Sequence, residues 1–145
     1  DVSRGMISRI AVITDSTGRQ RAAGWLRQLR ATGGYVYSGC YTQTLLPGAD
    51  RPSVHVSFPL QSGNVQVFLR PDVAADGSLW LRSAGSRFGA DGAYVLVVDR
   101  GRTYAAAVPL RETFHVYVDE EGVLRTDHEL RLYSASVVRL HYKLE

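Results

Sequence analysis

The sequence points to an all-β protein, one antiparallel barrel with little helix, on three grounds. From Gly33 onward, apolar and polar residues alternate with a period close to two, the period of side chains along a strand. Turn residues break this alternation roughly every eight to twelve positions, as they do in sandwiches and barrels. No helical pattern separates the runs, so antiparallel neighbours joined by short turns are expected.

The elements follow in order. "IAVIT" (10–14) opens the chain's β pattern, and "DSTG" offers a turn with Gly18 in its left-handed position. The next stretch, 15–34, has two readings. As a helix, it places Ala22, Trp25, Leu26 and Leu29 on one face and stops at Gly33-Gly34. As a hairpin, "RQRAAGWLRQL" returns beside "IAVIT". Gly24 would cost a helix interior about 1 kcal/mol, which favours the strand. "YVYSGCYTQT" (35–44) is followed by a Pro/Gly loop, and "SVHVSFPL" (53–60) meets "NVQVFLR" (64–70) across "QSG". "SLWLRS" (78–83), "AYVLVV" (93–98) and "RTYAAAV" (102–108) come next, with Pro109 ending the last of these or marking a bulge. "SVVRLHYKL" (136–144) closes the chain.

The hairpin "FHVYVDEEGVLRTDHELRL" (114–132) fixes its own register. A type I turn closed by a left-handed Gly122 pairs Asp119 with Val123, and hence Val118 with Leu124, Val116 with Thr126 and Phe114 with His128. One face then carries Phe114, Val116, Val118, Leu124, Thr126, His128 and Leu130. The other carries His115, Tyr117, Arg125, Asp127, Glu129 and Arg131, which belong in water, with His115 opposite Asp127. A slip of one residue would mix the two sets. His128 therefore points inward, and Val138, Leu140 and Tyr142 of the last strand follow it.

The 145 residues make one domain, 1–145, large enough for a core without cross-links. The final Leu144-Glu145 matches a cloning scar and carries no weight. The net charge of +3 rests on arginine, since Lys143 is the only lysine among seventeen basic residues. These arginines are scattered and form no basic stripe, which argues against nucleic-acid binding. No apolar run reaches the ~20 residues that span a bilayer, and the start lacks a signal-peptide core, so a cytoplasmic protein is expected. Cys40 stands alone and reads as a small buried hydrophobe.

The chemistry inventory excludes more than it includes. The four histidines are far apart along the chain, so no metal site is expected. Ser83 and Ser86 in "SAGSRFG" lack the strand-to-helix setting of a nucleophile elbow. No phosphate loop or dinucleotide fingerprint follows a strand, and no cofactor is expected. What remains is aromatic. Tyr35, Tyr37 and Tyr41 alternate along one strand with Gly39 leaving space between them, and Phe68 and Trp80 add large rings. A barrel of eight to ten strands is just wide enough for one small ligand. His128 and Tyr142 are therefore the candidate catalytic residues, with Tyr35, Tyr37, Tyr41, Phe68, Trp80, Phe114 and Thr126 as candidate lining. The alternative for the first pair is structural: His128 and Tyr142 satisfy one another's hydrogen bonds, or those of a backbone carbonyl, at a barrel end.

Three stretches carry a resemblance: "TDSTGRQRAAGWLRQL" (14–29), "DGSLWLRSAGSRFGADG" (76–92) and "FHVYVDEEGVLRTDHELRLY" (114–133). They resemble an uncharacterised bacterial domain that also occurs fused behind saccharopine-dehydrogenase-like reductases. The first is similar to that family's acid-turn-Gly-Arg hairpin followed by Trp (Asp15, Gly18, Arg19, Trp25). The second is similar to its Gly-Leu-x-Leu-x-Ser…Arg-Phe run (Gly77, Leu79, Leu81, Ser83, Arg87, Phe88). The family's Gly-rich ending is replaced here by "YSASVVRLHY". The resemblance implies an antiparallel β domain with a first hairpin and transfers no catalytic residue.

The expectation is thus a calycin-like barrel around an apolar pocket. The leading function is cofactor-independent cyclisation or isomerisation of a hydrophobic, polyketide- or terpenoid-like metabolite in bacterial secondary metabolism. The alternatives are a non-catalytic carrier or sensor of an apolar ligand, and an interaction module that packs on a reductase or on a second copy as a homodimer.

Overall fold

The computed structural model describes residues 5–83, 85 and 87–144; Ser86 and Glu145 lie outside them. The described residues form eleven strands and no helix. They are β1 (Met6–Thr14), β2 (Gln20–Leu29), β3 (Tyr35–Thr44), β4 (Ser53–Leu60), β5 (Gly63–Val73), β6 (Leu79–Arg82), β7 (Gly92–Asp99), β8 (Arg102–Val108), β9 (Leu110–Val118), β10 (Leu124–Leu132) and β11 (Ala135–Lys143). The segment with two readings is strand: β1 pairs with β2 from Met6↔Leu29 to Thr14↔Gln20. Its turn is built on Asp15, whose Oδ1 accepts the Thr17 and Arg19 amides at 2.9 and 3.2 Å, with Gly18 at φ 82°. Gly33, at φ 69°, serves the β2–β3 turn and not a helix end.

All pairings are antiparallel, in the order β1-β2-β3-β4-β5-β6-β9-β10-β11. Closure into a barrel does not occur, which corrects the expected architecture. The sheet curls into an open half-barrel, because β5 forks. Gly63 to Phe68 pair with β7, and Arg70 to Val73 pair with β6. The fork diverts β7 and β8 into a side ribbon, and β8 pairs only with β7. Among the described strands β1, β8 and β11 each keep one unpaired edge, and β1 does not meet β11.

The core sits at the fork. Val56, Val67, Leu69 and Ala93 are buried, with Val54, Phe58, Val65, Leu81 and Phe114 packed against them. All come from the concave side, and Leu69, 2% exposed, is among the largest wholly buried side chains. On the convex side, Tyr94 is also buried; its hydroxyl donates to the Ala90 carbonyl at 2.6 Å and accepts the Gly89 amide at 3.0 Å.

Candidate functional site

The sequence-derived hairpin register matches the observed one, with Phe114 opposite His128, Val116 opposite Thr126 and Val118 opposite Leu124. Gly122 closes the turn at φ 77°. On the other side of β10, Thr126 pairs with Tyr142 and His128 with Leu140. The same alternation carries Glu112 onto the concave face two residues before Phe114. Its backbone is clamped to Ser83, the residue after β6, the Glu112 amide donating to Ser83 Oγ at 2.7 Å and the Ser83 amide to the Glu112 carbonyl at 2.9 Å.

His128 is therefore an interior group, and its partner is Glu112. His128 Nε2 and Glu112 Oε1 lie 2.7 Å apart, both largely shielded from water. Phe114 stacks on the imidazole with centroids 4.0 Å apart and planes 15° from parallel. The pairing of His128 with Tyr142 does not occur. Tyr142 turns instead toward Arg27 of β2, whose guanidinium carbon lies 5.0 Å from the Tyr142 ring centre and 4.9 Å from that of Trp25. Side chains from opposite halves of the sheet thus meet over its concave face.

Tyr37 and Tyr41 complete the cluster. Their hydroxyls share a short hydrogen bond, Tyr37 sets its edge against Phe58 at 5.2 Å, and Trp25 leans on Tyr41 at 5.4 Å. Burial raises the Tyr37, Tyr41 and Tyr142 phenols above their ordinary value, and the Glu112 carboxylate adds to each rise. These hydroxyls are therefore hydrogen-bond donors throughout the physiological range. The space beside Gly39 is not vacant. A Cβ there would stand 2.9 Å from the Tyr37 hydroxyl and 3.2 Å from its Cζ, so the Tyr37 ring fills it.

Three expected lining residues are elsewhere. Tyr35 is 78% exposed: the β2–β3 register shifts between Arg27 and Gln28, so Tyr35 pairs with Gln28 and leaves the concave set. Phe68 alternates with Val67 and Leu69 and lies on the convex side, stacked on His55 at 4.5 Å. Trp80 pairs with His115 and lies on the convex side too, 4.0 Å from that ring, with Arg82 4.3 Å away. Thr126 is buried beside the cluster. His115 lies opposite Asp127 in register, yet Asp127 takes His141 at 2.6 Å.

Trp25, Arg27 and Glu112 were outside the candidate list. Glu112 precedes the hairpin, and Arg27 joins the concave face only if 20–29 is a strand. An acid and a base recurring on otherwise apolar alternation sets were the available signal.

Beside the cluster, an open hollow of about 800 Å³ is bordered by Ala23, Tyr41, Gln43 and Val54, with Arg19 and Arg21 at its rim. No group of three or more metal-ligating side chains stands together among the described residues. No helix among them is long and apolar enough to cross a membrane. Compared with known proteins, the chain matches no family model, no curated protein sequence and no solved structure.

Proposed function

We propose that the concave face binds a hydrophobic small molecule and acts on it as a cofactor-independent isomerase or cyclase. The observation that carries this reading is the Glu112–His128 pair, set under Phe114 in an interior shared with the Tyr37–Tyr41 hydroxyls. Glu112 holds the imidazole by Nε2 and leaves Nδ1 to meet a substrate, the arrangement of a general base with its orienting carboxylate. His128 Nδ1 takes a proton from a carbon beside a carbonyl, and Glu112 stabilises the imidazolium. Of the tyrosine pair, the hydroxyl whose proton is not spent on its neighbour donates to the carbonyl oxygen as negative charge develops there. Returning the proton to another carbon isomerises the substrate. Attack of the enolate carbon on a second carbonyl of the same molecule closes a ring as that C=O π bond opens, and the imidazolium returns its proton to the alkoxide that forms. The half-open aromatic wall restrains a flexible substrate near that geometry.

The test is hydrogen–deuterium exchange by NMR in D2O, with hydrophobic β,γ-unsaturated ketones and polyketide-like β-diketones. The wild-type protein accelerates exchange at the carbon between the unsaturated groups. His128→Phe, which keeps the stack on Phe114, loses about 10²–10⁴-fold, the usual worth of a positioned base. Equal exchange by the two proteins removes the catalytic reading. Binding without exchange would make the protein a carrier of apolar ligands.

A further inference from the structure

We propose that the ligand of the concave face carries a single carboxylate and that Arg27 binds it; this rests on the concave face being the ligand site. Arg27 differs from most arginines that face an acid in this chain. Arg21, Arg51, Arg82, Arg125 and Arg139 each have a carboxylate within ion-pair distance. Arg27, inside the half-barrel, has none among the described residues, and the acid that shares its surroundings, Glu112, is taken by His128. Its Nε is buried with no hydrogen-bond partner, and so is Nε1 of Trp25, two residues away on the same face.

Taking a cation and two N–H donors from water without returning an acceptor is costly. The Trp25 and Tyr142 rings offset part of that through cation–π attraction, and the Tyr142 hydroxyl offers the guanidinium one neutral oxygen, which leaves Arg27 Nε and Trp25 Nε1 still without an acceptor. A carboxylate supplies two, and guanidinium–carboxylate bonds strengthen where water is excluded. One positive group balances one negative charge. A dianion such as a phosphate monoester would bring surplus charge toward Glu112, so the carboxylate is favoured over it.

The rest of the ligand is apolar. On β1, Ile10 stands opposite Trp25 and Val12 opposite Ala23, hence on the same concave face. They are 60% and 59% exposed, an uncovered apolar strip beside the donors. An acid with a flat or branched hydrocarbon body lies along this strip with its head at Arg27.

Calorimetric titration of three probes with one shared body tests this: 2-naphthoate, 2-naphthylmethanol and 2-naphthyl phosphate. The wild-type protein binds the carboxylate at least tenfold more tightly than the alcohol and more tightly than the phosphate. Added salt narrows the gap to the alcohol. Arg27→Met, which keeps the apolar stem, brings carboxylate and alcohol within twofold while leaving alcohol binding intact; Arg27→Lys restores part of the preference. A preference that survives in Arg27→Met, or a wild type that does not prefer the carboxylate, overturns the inference. In that case alcohol binding shows that the ligand site itself stands. If no probe binds, the ligand site falls and this inference with it. Carboxylate binding with no deuterium exchange leaves the recognition standing and removes only the catalysis.

Discussion

Gly39→Ala offers the sharpest check on how the interior is assembled. The backbone at Gly39 lies outside the left-handed region, so on conformational grounds alanine should stabilise the strand by about 0.5–1 kcal/mol. The structure demands the opposite outcome. A methyl group at this position collides with the Tyr37 hydroxyl at 2.9 Å and with Cζ at 3.2 Å. The ring cannot simply lean away, since the Phe58 ring packs against it with centroids 5.2 Å apart and Tyr41 holds its hydroxyl. Displacing it gives up a hydrogen bond worth about 0.5–1.5 kcal/mol and an aromatic contact of about the same size. It also exposes part of a half-buried ring. After the conformational gain is subtracted, the net loss is about 1–3 kcal/mol. Urea unfolding should show it as a fall in midpoint of about 1 M, given the slope usual for small proteins. Absorbance titration should show one more phenol ionising in the ordinary range. In a Tyr37→Ala background the same substitution should be neutral or stabilising, because the collision is gone. A single Gly39→Ala variant as stable as the wild type, with its phenols titrating late as before, would refute this account of the packing.

Two further outcomes are expected. Stability falls in alkali: Tyr37, Tyr41 and Tyr142 have folded-state values above the ordinary 10.0, chiefly through burial. Their contribution is complete below the unfolded phenol value and is lost as pH climbs through the raised folded ones; equilibrium unfolding from pH 8 to 12 measures it, and a flat profile contradicts the assigned burial. Leu69→Ala, at the fork of β5 where the side chain is 2% exposed, costs about 2–5 kcal/mol by calorimetry or denaturant, and a loss below 1 kcal/mol would mean that the core lies elsewhere.

Local pattern made a good part of this molecule legible. The alternation in 114–132, with Gly122 as turn closer, set the β9–β10 register and turned His128 inward, because strand pairing across a tight turn is a short-range matter of side-chain parity and turn geometry. The same parity could have placed Phe68 beside Gln66 on the outer face. It could not have shown that a bulge opposite Arg27 and Gln28 throws Tyr35 out of its stripe, since no turn residue marks that position. The same register, continued two residues back from Phe114, sets Glu112 opposite Leu130 and on the face of His128; which polar group of that face the imidazole takes is decided by the packing around it.

Closure is a still more distant property. Whether a sheet becomes a barrel depends on how every strand's edge is shared, and here β5 divides its edge between β6 and β7. That division joins segments far apart in sequence, where no local periodicity records which edge wins. Side-chain parity thus told inside from outside within each hairpin. The meeting of Arg27 with Tyr142 from opposite halves of the sheet, and the half-open shape above them, came from the competition among strands for edges.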